Sequence, residues 1–136
     1  MFLNSLSSNE KNNFMRLAIA VIKADKVVKN NEKQVLSAYA NEMQITIEDI
    51  DHQYDIDHII GSLAKESSDQ SKRVIFVELL ALAFADGNYA NEEKNIIQKL
   101  ANSFNLGEDF IERAINLQDS YMAAYMSLVH LIEKGE

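Results

Sequence analysis

An internal duplication constrains this chain more than any other feature of its sequence. Residues 11 to 50 align without a gap on residues 72 to 111, an offset of 61. Ten of the paired positions are identical: Lys11/Lys72, Ala20/Ala81, Ala24/Ala85, Asp25/Asp86, Asn30/Asn91, Glu32/Glu93, Lys33/Lys94, Ala40/Ala101, Asn41/Asn102 and Ile50/Ile111. Most other core-type positions stay apolar, as in Val35/Ile96, Leu36/Ile97, Met43/Phe104 and Ile45/Leu106. A supersecondary unit of this size cannot bury its apolar face alone, so the two copies need each other. The pattern predicts an all-α, single-domain bundle over residues 1 to 136, with about seven helices and a two-fold helix-loop-helix repeat.

Composition agrees with helix and speaks against strands. Proline is absent and glycine is limited to Gly61, Gly87, Gly107 and Gly135, while Ala, Leu, Glu and Lys are abundant. Ser7-Ser8-Asn9-Glu10 has the form of a capping box, with Ser7 accepting from a first-turn amide and Glu10 reaching back. It predicts a first helix from about residue 8 to Asp25, buried through Phe14, Leu17, Ala18, Val21 and Ile22. Asn30 and Asn91 are expected to cap the second helix of each copy. Thr46-Ile47-Glu48-Asp49 can start a short helix, and Asp55 or Asp57 the next one, through Ile59, Ile60, Leu63 and Ala64. The helix over about 69 to 86 is apolar nearly all round and is expected at the centre of the bundle. Gly107 suits a left-handed or cap position before a final helix from about Glu108, with a break at Asp119.

A chain of 136 residues can bury a sizeable core without staples. It has no cysteine, so it holds neither a disulfide framework nor a thiolate metal site. The formal charge of −8 argues against nucleic acid, whose phosphates need Lys and Arg. Cations and basic protein surfaces are the better partners. Residues 1 to 8 lack a basic, apolar leader pattern. The apolar runs at 17 to 22 and 79 to 85 are too short to cross a bilayer and occupy equivalent places in the repeat. A cytoplasmic location is expected.

Both copies carry a carboxylate pair seven residues apart, Asp25 with Glu32 and Asp86 with Glu93. Each pair brackets the loop between two helices. A helix ending at the Asp and a short loop would bring it near the first turn that holds the Glu. Such an oxygen-rich corner suits a hard divalent cation such as Ca²⁺ or Mg²⁺. The loop lacks the alternate-residue ligand pattern of an EF-hand. The competing structural reading has Asp25 and Asp86 accepting amides of their own loops, and Glu32 and Glu93 favouring the positive end of a helix dipole.

The segment Ala85-Asp86-Gly87-Asn88-Tyr89-Ala90-Asn91-Glu92-Glu93, between two apolar helices, resembles the acidic Ala-Asp-Gly signature of the TerB tellurite-resistance family. The segment from Ala24-Asp25-Lys26 to Asn30-Asn31-Glu32 looks like its other copy, and Met1-Phe2-Leu3-Asn4 with Leu6, Glu10, Lys11 and Phe14 resembles the opening of small bacterial TerB-like proteins. The resemblance covers roughly residues 1 to 115. It implies a duplicated helical bundle with an acidic surface suspected of binding divalent metal. It also implies links to tellurite and other chemical stress and to membrane-associated complexes, with a similar domain in DjlA-type co-chaperones. The first copy departs from the family at Lys26, where glycine is preferred. A lysine there would neutralise that corner, which makes Asp86 and Glu93 the primary ligands and Asp25 and Glu32 the secondary ones.

Other clusters point less sharply. Asp51-His52-Gln53-Tyr54-Asp55-Ile56-Asp57-His58 concentrates imidazoles and carboxylates, and His52, Asp55 and His58 would share a helical face were the segment continuous. A helix boundary is expected to interrupt it. Tyr121, Met122, Tyr125 and Met126 recur at helical spacing, which suggests core packing first and a homodimer or partner surface second. No nucleophile has an evident base partner. The functional expectation is a non-enzymatic TerB-like scaffold or sensor of a stress response, with a protein partner, peripheral contact with a membrane complex and a divalent cation at the acidic loops. The alternatives are a metal-dependent hydrolase using the same carboxylates and a metal-free protein-interaction module.

Overall fold

A computed structural model describes residues 2–24, 30–47, 52–84 and 91–136, with the main chain alone at 30–31 and 91–93. The described residues are helical without strands: a 3-10 turn (Leu3–Ser5), then α1 (Ser8–Lys23), α2 (Asn30–Met43), α3 (Ile56–Glu66), α4 (Asp69–Phe84), α5 (Asn91–Ser103) and α6 (Glu108–Lys134). Six α-helices stand where about seven were expected. Residues 45–47 are not helical, so the helix expected from Thr46 is not under way there. Residues 48–51 lie outside the described residues. The chain forms two compact units, Met1–Asn105 and Leu106–Glu136.

The duplication reappears in the helix boundaries. Shifting α1 by 61 residues gives the bounds of α4, and the same shift carries the start of α2 onto the start of α5. Asn30 and Asn91 are the first helical residues, one position inside the expected cap; residues 29 and 90 lie outside the described residues. Both second helices also end alike. Gln44 and Asn105, equivalent across the repeat, adopt left-handed φ of 58° and 55°. Their amides donate to the Asn41 and Asn102 carbonyls at 3.2 Å, and the Ile45 amide reaches back to the Ala40 carbonyl at 3.0 Å. These turns satisfy carbonyls that a helix end otherwise leaves open. Of the left-handed and cap roles open to it, Gly107 takes the cap of α6 in extended geometry, because the preceding turn already supplies the reversal at Asn105.

The first unit is organised around α1, which packs against α2, α3, α4 and α5. The sequence pointed to α4 as the centre. That helix is well buried through Ile75, Phe76, Leu79, Leu80 and Ala83, yet α1 touches more partners. Phe14, Met15, Leu17 and Ile19 of α1, Leu36 and Met43 of α2, Leu63 of α3 and the α4 residues make up a core with almost no exposure. Each such side chain contributes about 1.5–3 kcal/mol of burial. Phe14 and Tyr39 add an edge-to-face ring contact at 5.4 Å between α1 and α2. In the second unit, α6 runs unbroken through Asp119 for 27 residues, and none of them is buried. Tyr121, Tyr125 and Met126 are more than half exposed, which overturns core packing for that strip. No described helix is long and apolar enough to cross a membrane.

Caps fix where the helices begin. Ser7 and Glu10 close the predicted capping box: the Ser7 amide donates to Glu10 Oε1 at 2.8 Å and the Glu10 amide to Ser7 Oγ at 3.3 Å. Glu10 is only 7% exposed. Burial opposes its charge, but hydrogen bonding from the Ser67 hydroxyl, the Ser7 amide and hydroxyl and the Ser71 hydroxyl outweighs burial and holds the carboxyl below its ordinary range. One acid thus draws on polar groups both at the start of α1 and at the turn before α4.

Two predictions follow from these ends. Glu10 titrates lower in the folded than in the unfolded chain, so its contribution is full above about pH 5 and is lost as pH falls through the depressed value. Urea unfolding of Glu10→Gln is expected to show a loss of about 1 kcal/mol at neutral pH, and a gap from the wild type that closes in acid. Gln44→Gly removes the steric cost of a side chain at left-handed φ. It is expected to raise the unfolding free energy by up to about 1 kcal/mol, and Asn105→Gly by less, since asparagine tolerates that region better.

Candidate functional site

Of the four carboxylates proposed as ligands, Asp25 and Asp86 lie outside the described residues. Glu93 is placed by its main chain as the third residue of α5, and Glu32 occupies the same position in α2. Glu32 is half-buried in the first turn, where a carboxylate meets the positive end of the helix dipole. Among the described residues, no group of three or more His, Asp or Glu side chains is placed to hold a metal ion.

The His52–His58 cluster is dispersed by local structure. Asp55 is the N-cap of α3 and accepts from the His58 amide at 3.1 Å, so the helix boundary falls inside the cluster, as its composition suggested. Asp57 pairs with Lys99 at 3.3 Å on the exposed surface. His52 packs edge-on against Tyr54 at 4.8 Å, and the Arg16 guanidinium lies 5.9 Å from the centre of the same tyrosine ring. Each of these groups therefore has a local structural role.

Two clefts flank this segment. The first, of about 330 Å³, has a floor of Ile19, Ala20, Ile56 and Ile96 and polar groups from Lys23, His52, Gln53 and Asn95. Lys23 Nζ donates to the His52 carbonyl at 3.4 Å across it. The cleft joins the C-terminal end of α1 to the first turns of α5, so both repeat copies contribute walls. Ala24, also in its lining, directly precedes Asp25 in the chain. The second cleft, of about 610 Å³, is a groove past Arg16, Tyr54, Asp55 and His58. An apolar floor with a few polar groups at the rim suits a small amphipathic ligand or an inserted side chain. Sequence reasoning did not find Lys23 or Asn95, and it met Tyr54 only inside the His52–His58 run. They are brought together by helix packing, and no local spacing betrays them.

A second group missed by the sequence reading lies under the N-terminus. Glu78 is 7% exposed in α4, and its carboxylate accepts the Phe2 amide at 3.3 Å. Glu42 of α2 accepts the Leu3 amide at 2.8 Å, which seats the fully buried Leu3 against α2 and α4. Burial, followed by the negative charges of Glu78 and Glu42, raises the Tyr39 phenol well above its ordinary range. A signal did exist: Glu78 interrupts an otherwise apolar run, and a buried acid needs donors. The 3-10 turn's amides are such donors. Glu42→Ala is expected to cost about 1 kcal/mol and to speed hydrogen exchange at the Leu3 amide, while amides of α5 keep their protection.

Comparison with known proteins adds one finding. The family model described as Tellurite resistance protein TerB matches residues 48–116, half of the chain, including the whole of the second repeat copy. Neither the curated proteins nor the solved structures gave a match.

Proposed function

Since the chain belongs to the family of Tellurite resistance protein TerB, we propose that it acts as a non-enzymatic scaffold or sensor module in a stress response and binds a divalent cation at its acidic inter-helix loops. The observation that carries this reading is the coincidence of helix boundaries across the repeat. It puts Glu32 and Glu93 at the same first-turn position of α2 and α5, each seven residues after an aspartate that follows an equivalent helix. Carboxylate and carbonyl oxygens at such a corner suit a hard cation and offer nothing to a soft one. Asp86 and Glu93 are the primary ligands. Asp25 and Glu32 are secondary, because Lys26 brings a positive charge to a loop where the second copy has Gly87. A cation held between two helices would bias their packing, and the clefts beside α1 and α5 would present that change to a protein partner.

Calorimetric titration of Ca²⁺, Mg²⁺, Mn²⁺ and Zn²⁺ into the wild type and an Asp86→Ala/Glu93→Ala variant tests the reading. Binding of a hard cation, weakened at least about tenfold in the variant, is the expected result; losing one direct ligand typically costs more than 1.4 kcal/mol. No heat with any ion would leave a metal-free interaction module. Metal-dependent turnover of a phosphoester, abolished by Asp86→Ala, would overturn the non-enzymatic assignment.

A further inference from the structure

The largest feature that the bundle and its loops leave unexplained is the surface of α6. Leu117, Tyr121, Tyr125, Leu128, Leu131 and Ile132 expose between 52% and 82% of their surface. With a step of 100° per residue, these six fall within an arc of about 120° on one side of the helix. Met126, also exposed, lies on the opposite side. Large side chains each present roughly 150–250 Å² when free, so the stripe offers on the order of 700 Å² of apolar surface. That exceeds the ~300–600 Å² patch of a typical monomer and approaches the ~800 Å² that each partner contributes to a stable interface. The matched family region ends at residue 116, immediately before the stripe begins.

Spacing and charge select what covers it. Leu117, Tyr121, Ala124, Leu128 and Leu131 follow one another at steps of four, three, four and three, the seam that one helix presents to another helix of the same pitch. Between Ser120 and Ile132 there is no Asp, Glu, Lys or Arg, although the whole chain carries −8. This is the face on which two copies can meet without opposing like charges. An anionic lipid surface fits less well. Helices that lie on such surfaces carry Lys and Arg along the polar face, whereas α6 has Glu112 and Asp119 there and only Arg113 and Lys134 as basic residues.

We propose that α6 is the interface of an antiparallel homodimer whose two-fold axis passes beside Ala124. In this pairing Leu117 of one copy faces Ile132 of the other and Tyr121 faces Leu128, while the small Ala124 lets the helices approach closely. The acidic first turn, Glu108 and Asp109, extends beyond the partner's C-terminal end. A parallel pair would instead set Arg113, which lies on the same side of the helix as the stripe, against its own copy, and like charges side by side are destabilising. The interface is independent of the acidic loops, so cation binding can fail without affecting it.

Sedimentation velocity of the 136-residue chain over a micromolar concentration series is the test. The wild type sediments as a dimer, Leu128→Glu as a folded monomer with unchanged helix content, and Met126→Glu, altered on the opposite face, as a dimer. The chain has no cysteine, so introduced ones report without background. Mixed Leu117→Cys and Ile132→Cys chains cross-link to each other in preference to themselves. A wild type that is monomeric throughout overturns the proposal, whether the stripe is then shown to bind vesicles or to be covered within the same chain by a lowered melting temperature of Leu128→Glu. A dimer that survives Leu128→Glu overturns it as well. Preferential self-cross-linking overturns the antiparallel arrangement.

Discussion

The packing of α1 against four other helices is the constraint on which the first unit depends. A helix with neighbours on several sides needs apolar side chains over most of its girth, and α1 supplies them at Phe14, Met15, Leu17, Ala18, Ile19, Val21 and Ile22. Its polar residues are confined to the first turns and to the sides that remain open. Because those neighbours come from both repeat copies, removing α1 would leave α2 and α5 with unburied stripes and no common wall. The cleft bounded by Lys23, His52 and Asn95 also exists only because α1 ends where α5 begins its first turns. The fold and the cavity therefore share one physical cause.

Duplication supplies the framework, and departures from it decide the local chemistry. Leu17 is fully buried in the first copy, while its equivalent in the second is the buried acid Glu78. A carboxylate at that position is tolerable because the N-terminal turn delivers the Phe2 amide to it. Identical residues diverge too. Lys11 reaches Asn4 Oδ1 at 3.5 Å, whereas Lys72 stands 6.0 Å from the centre of the Phe104 ring. Equivalence in sequence fixes a residue's place on its helix. What it touches depends on the surroundings, which the N-terminal segment makes asymmetric.

This distinction accounts for what could be read in advance. The helical class, the capping box at Ser7 and Glu10, the matched boundaries of α1 and α4 and the start of α3 at one of two aspartates, Asp55 or Asp57, are consequences of local sequence and legible there. The role of α1 as hub was not, because the helix over 69–84 is more uniformly apolar and looked more central; the number of contacts a helix makes depends on topology. Exposure of Tyr121 and Tyr125 ranks second to core packing in the sequence for a related reason. Periodic apolar residues reveal that a helix has an apolar face, and say nothing about whether the same chain covers it. The candidate ligands are a mixed case: Glu32 and Glu93 fall at the expected helical position, whereas Asp25 and Asp86 lie outside the described residues.

The two proposals occupy different parts of the chain for a physical reason. The acidic loops concentrate charge at helix ends, where solvent and dipoles can accommodate it and where a cation would find oxygen donors. The second half of α6 does the opposite and clears charge from thirteen consecutive residues, 120 to 132, of an otherwise acidic chain. Were both features in one stretch of the chain, pairing two copies would press their carboxylates together and make association depend on the bound ion. Keeping them apart in sequence, with the family match spanning the second loop and ending before the stripe, would let an ion bind the loops without altering assembly. Association of the copies would then add valency: two cleft-bearing bundles per particle raise the effective concentration of the second site once the first has engaged a partner.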